Sequence, residues 1–132
     1  MHSYYTRKNN PYQYGEYKIF VAEVASTVNE LLRAKYMLKN SKDNQEKLFI
    51  LNQLLELYKS TVYRQSMFAE FEQKMHKKVE NDEVLTHENI SNEYYKLNQK
   101  YFGDTLVLDD LIKYEWERIP HFYYNFYVYK YA

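Results

Sequence analysis

Cysteine is absent from this sequence, and glycine and proline occur only twice each in 132 residues. Without cysteine there can be no disulfide framework, no cysteine-based zinc knuckle and no thiol redox site. So few turn residues argue against a β-sandwich of many tight turns and against disorder. The apolar runs are only a few residues long, so the sequence predicts neither a membrane span nor a signal-peptide core. Net charge is also missing. Eighteen basic and eighteen acidic side chains cancel, and nothing steers the chain toward nucleic acid or an anionic membrane. The expectation is a soluble, mostly helical, cytoplasmic chain of one domain's length.

Aromatic residues are in excess. Tyrosine occurs 17 times and phenylalanine 7 times beside a single tryptophan. Tyr4, Tyr5, Tyr12, Tyr14 and Tyr17 crowd one end; Tyr123, Tyr124, Tyr127, Tyr129 and Tyr131 crowd the other. A buried tyrosine needs a partner for its hydroxyl, so two tyrosine-dense ends point to polar-lined surfaces, either a ligand cleft or a protein interface.

The spacing of apolar residues predicts an all-α fold. Asn10, Pro11 and Gly15 make 1–15 an irregular segment. Phe20, Val24, Val28, Leu31 and Leu32 then recur at helical spacing, predicting a helix over 16–39 that contains Glu23. A long apolar pattern without glycine or proline predicts a helix over 44–80, kinked near Ser60 and Thr61. Thr86 starts a helix over 86–102 that stops at Gly103, and Asp109 caps a shorter one over 109–117. Pro120 opens a last helix over 120–132. No internal repeat or interior linker interrupts this series, so 1–132 reads as one multi-helix unit.

Few residues announce chemistry. The four histidines show no pair at four-residue spacing, so the chain carries no helical zinc clamp of its own, and there is no glycine-rich phosphate loop. His76 among lysines reads as a surface residue, and His87 as a residue at a helix start. Glu23 stands out in the otherwise uncharged run from Phe20 to Thr27. It reads either as a solvated glutamate in line with Glu16 and Glu30, or as a carboxylate in an apolar wall, where a metal or a proton-transfer role would compensate its burial. On a helix, His121, Tyr124 and Tyr131 would share a face with Tyr127 or Val128 between them. That face reads either as aromatic packing or as a row of neutral hydrogen-bond donors aimed at a polar ligand.

Five segments carry a resemblance: Met1-His2-Ser3-Tyr4-Tyr5, Asn9-Asn10-Pro11-Tyr12-Gln13-Tyr14-Gly15, the run from Tyr17 to Thr27, the run from Arg64 to Glu72, and the run from Arg118 to Tyr131. In this order they resemble the oligoendopeptidase F family, zinc metallopeptidases related to thimet oligopeptidase, and the similarity spans the chain. The resemblance implies a C-terminal piece of a zincin-type oligopeptidase catalytic domain. The family's third zinc ligand is the glutamate of Phe-x-x-Glu-x-x-Ser, which maps onto Glu23 between Phe20 and Ser26. Its substrate-side donors map onto His121, Tyr124 and Tyr131, with Tyr127 or Tyr129 if the register shifts.

One departure from the family pattern matters. The His-Glu-x-x-His motif, which supplies two zinc ligands and a general base, does not occur here; by the resemblance the chain begins just after it and is truncated at both ends. Zinc and an oligopeptide substrate are therefore expected for the complete enzyme, with the chain alone inactive and not retaining zinc. The alternative expectation is a helical interaction module that associates through its tyrosine-rich ends, with the missing N-terminal part of the catalytic domain or with itself.

Overall fold

From Asn44 to Glu80 there is neither glycine nor proline, and the backbone is helical throughout that stretch. The computed structural model describes residues 2–103 and 106–131. Among these residues there are helices and turns but no strand, so the fold is all-α. The α-helices are α1 (His2–Asn9), α2 (Ile19–Asn40), α3 (Asn44–Tyr58), α4 (Arg64–Glu80) and α5 (His87–Phe102). Three 3-10 stretches follow, Asp110–Arg118, Pro120–Tyr123 and Val128–Tyr131.

The helix ends follow local chemistry. Thr86 caps α5 by accepting the Asn89 amide at 3.2 Å, and Asp109 accepts the Leu111 amide at 2.8 Å. At the far end of α5, Gly103 adopts φ 58°, where a side chain would be strained. Between α3 and α4 the helix widens into a π-turn, Lys59–Tyr63. The hydroxyls of Ser60 and Thr61 both donate to the Leu57 carbonyl, at 3.1 and 2.6 Å. They compete there with the backbone ladder, and a π-turn at the site expected to kink is the outcome.

Three expectations need correction. The segment 1–15 is not irregular: α1 occupies His2–Asn9 and a 3-10 turn occupies Tyr12–Tyr14. Pro11 restricts only its immediate neighbour, and Asn10 closes α1 by donating its side-chain amide to the Thr6 carbonyl at 2.8 Å. The stretch expected as a helix over 109–117 is a 3-10 run, whose three-residue period sets Glu115 and Arg118 on one face as an ion pair. Finally, 120–132 is not one helix. Tyr124 turns extended, with φ −87° and ψ −178°, and the amides of Tyr127, Val128 and Tyr129 are engaged elsewhere, as described below.

The chain divides into two compact units rather than one. The first comprises residues up to Glu56 together with Tyr131; the second is Leu57–Lys130. In the first, α2 buries no residue and α3 buries only Ile50. The second has a core: Met67, Phe68 and Phe71 of α4 pack with Tyr94 and Leu97 of α5 and with Ile119 and Val128. Phe122 meets Phe68 and Phe71 edge-on, with ring centroids 5.1 and 4.9 Å apart, the arrangement that aromatic quadrupoles favour. Trp116 borders this core and donates its indole N–H to Ser91 at 3.1 Å.

Stability should therefore reside in the second unit. Phe71→Ala is expected to cost about 3–5 kcal/mol, whereas Phe20→Ala, on exposed α2, should stay within about 0.5 kcal/mol. Urea unfolding checks both values, followed by Trp116 fluorescence for the second unit and by far-ultraviolet circular dichroism for α2.

Candidate functional site

Glu23 lies half-buried on α2. Ser26 donates its hydroxyl to the Glu23 carboxylate at 3.0 Å, and Thr27 donates to the Glu23 carbonyl at 2.7 Å. The carboxylate is thus oriented from one side by a neutral donor. Among the described residues no group of three or more His, Cys, Asp or Glu side chains could hold a metal. One hard oxygen falls short of the three protein ligands of a catalytic zinc, so the donors described here do not by themselves fit that ion.

In the second unit the structure brings His121 and Tyr124 together without a helix between them. Their ring centroids are 6.3 Å apart, edge to face. Tyr127 joins them, stacked on His121 at 5.5 Å and edge-on to Tyr124 at 5.8 Å. Tyr124 is 59% exposed, and His121 and Tyr127 are half-buried. The result is a cluster of one imidazole and two phenols that opens to solvent on the Tyr124 side. Lys130 places its ammonium over the Tyr127 ring at 4.6 Å. Tyr129 is exposed, and Tyr131 is half-buried in the last 3-10 turn.

This cluster rests on a residue that the sequence did not bring forward. Glu72 is only 4% exposed. Its carboxylate accepts the backbone amides of Tyr127 at 2.7 Å, Val128 at 2.9 Å and Tyr129 at 3.4 Å. A buried carboxylate is tolerable only where donors converge on it. A signal was present, since Glu72 interrupts the apolar series Phe68, Phe71 and Met75 on α4. His76, half-buried on the same helix, stacks on the exposed Phe126 with ring centroids 3.6 Å apart.

A second carboxylate ties α4, α5 and the 3-10 run together. Glu115 accepts from Arg64 at 2.6 Å, from the Tyr94 hydroxyl at 2.8 Å and from Arg118. Burial works to raise its pKa, but the hydrogen bonds from Arg64 and Tyr94 outweigh it and hold the group below the ordinary glutamate value. Burial pushes the Tyr94 hydroxyl far above the usual phenol range, and Glu115 adds to that shift. Nearby, Lys100 lowers the pKa of Glu70 by hydrogen bonding, and Tyr101 adds a second donor.

The comparisons with known proteins agree with one another. The profile of Peptidase family M3 matches residues 1–132. Over all 132 residues the chain is 59% identical to Oligopeptidase PepF of Bacillus subtilis (strain 168), covering 20% of that protein. It is 52% identical over its whole length to an oligoendopeptidase F homolog of Lactococcus lactis subsp. lactis (strain IL1403), covering 22% of it. In the crystal structure of oligoendopeptidase-F from Enterococcus faecium, 22% of that chain matches 86% of this one, with a TM-score of 0.78 and 50% identity. The chain therefore spans about a fifth of the length of these relatives.

Because the Glu115 pKa is depressed in the fold, its contribution to stability is present above the unfolded value and is lost as pH falls through the folded one. The second unit should lose stability as pH drops below about 4.3, the ordinary glutamate value. Glu115→Gln should flatten that dependence, as read by Trp116-monitored unfolding across acid pH.

Proposed function

The chain belongs to peptidase family M3, and from that membership we propose that it forms part of the catalytic domain of a zinc endopeptidase that hydrolyses peptide bonds in oligopeptides. Glu23 supplies one oxygen ligand to the metal, and residues outside this chain supply the rest. Zinc, when bound in such a site, polarises a carbonyl and activates water. His121, Tyr124 and Tyr131 act from the substrate side as hydrogen-bond donors to the scissile carbonyl and to the oxyanion that develops on it. The observation that carries this reading is the approach of the His121 and Tyr124 rings to within 6.3 Å of each other in a segment that carries the family resemblance.

The chain alone does not hydrolyse peptides, since it contains no His-Glu-x-x-His. In this reading the enzyme works in the cytoplasm.

The interaction-module reading has an observation of its own. Phe20, Val24, Val28, Leu32 and Tyr36 recur every four residues along α2, and all are exposed. An apolar stripe of this length is a docking surface rather than a solvated face. Its occupant in this reading is the remaining four-fifths of an oligopeptidase polypeptide, which makes the two readings compatible.

Zinc binding and turnover provide the test. The isolated chain should not retain equimolar zinc through dialysis; stoichiometric, chelator-sensitive retention would contradict the shared-ligand scheme. In a full-length oligopeptidase carrying this chain, Glu23→Gln should abolish zinc retention and hydrolysis with helix content unchanged. Tyr131→Phe should lower kcat about a hundredfold while KM moves little, as expected when one transition-state donor is removed. An unaltered kcat would reduce Tyr131 to packing.

A further inference from the structure

We propose that Glu72 is the positioning residue of the His121–Tyr124–Tyr127 cluster. Its consequence for catalysis rests on the reading of that cluster as the substrate-side donor face, whereas the positioning itself stands on geometry alone.

Burying a carboxylate without partners is costly. Glu72 sits on the packed face of α4, four residues after Phe68, next to Phe71 and three before Met75. In such surroundings a carboxylate persists only if its lone pairs are filled. Backbone amides 55 to 57 residues away in sequence fill them. Two of these, from Tyr127 and Val128, converge on the same oxygen, Oε2. Two strong hydrogen bonds to one atom leave the two peptide planes on either side of Tyr127 little freedom.

This restraint falls where the cluster is most sensitive. Tyr127 is the ring that touches both of the others, stacked on His121 and edge-on to Tyr124. Its amide is held by Glu72, and the next side chain, Val128, is buried in the core. The ring of Tyr127 therefore hangs from a backbone fixed on both sides, and His121 and Tyr124 pack against a stationary partner. Glu72 touches none of the three rings through these bonds. It acts on them through the backbone of Tyr127.

A glutamine at this position can keep one oxygen where Oε2 accepts from Tyr127 and Val128, but it turns its NH2 toward the Tyr129 amide and loses the charge that strengthens all three bonds. Glu72→Gln therefore tests acceptor chemistry at nearly constant volume. In the full 132-residue chain, followed by NMR, the substitution should speed exchange of the Tyr127, Val128 and Tyr129 amides at least tenfold. It should also move the His121 ring resonances toward those of a free histidine, while Leu97 in α5 keeps its protection. Unchanged amide exchange, or released amides with an unmoved His121 ring, would overturn the proposal. Should Glu72→Gln lose Leu97 protection too, Glu72→Asp keeps the charge, withdraws it by one methylene and is read in the same way. Global unfolding in both variants would make Glu72 a folding residue and overturn its positioning role. In a full-length oligopeptidase carrying this chain, Glu72→Gln should lower kcat about tenfold with KM within twofold, and should be non-additive with Tyr127→Phe. Absence of hydrolysis in the unsubstituted enzyme would defeat the peptidase reading and leave the NMR outcome standing.

Discussion

A charged group that leaves water must be met by donors, and the second unit is arranged around two carboxylates that have met theirs. Glu72 is satisfied by three consecutive backbone amides, Glu115 by two guanidinium groups and a phenol. Neither arrangement could form before the chain after α5 folds back over α4. The aromatic core supplies the apolar area that drives this return, and the carboxylates select one register for it, because a misplaced turn would leave a buried charge without partners. No buried side-chain nitrogen or oxygen among the described residues lacks a hydrogen-bond partner.

The two units differ in how they use apolar residues. In Leu57–Lys130 the stripes of α4 and α5 face each other and become a core. In α2 a stripe of comparable length stays in contact with water. None of the 22 residues of α2 is fully buried, and local hydrogen bonds by themselves leave an isolated helix marginal. The stretch matched in a relative of about five times the length is 59% identical to this chain.

Helix positions were largely legible from periodicity and punctuation. Thr86, Gly103 and Asp109 marked their ends because caps act locally. The π-turn lay at the two hydroxyl residues expected to disturb the helix. The last segment was misjudged because Pro120 is a sound helix start, and nothing nearby reveals that the amides seven to nine residues later are claimed by a side chain on α4. Helical phase places His121, Tyr124 and Tyr131 on one face, but no single helix runs through 120–132, and the rings of His121 and Tyr124 meet by direct contact instead. Glu72 went unread for the same reason as the segment: its meaning lies in partners 55 residues away or more.

The state of Tyr94 has a chemical consequence. Its hydroxyl is buried, donates to Glu115 and resists ionisation. Reagents that iodinate or nitrate tyrosine act on the phenolate, which Tyr94 supplies only when the fold opens. Labelling would therefore run through the many solvent-facing tyrosines first and reach this ring last, so that its halogenation becomes a clock for the opening of the core.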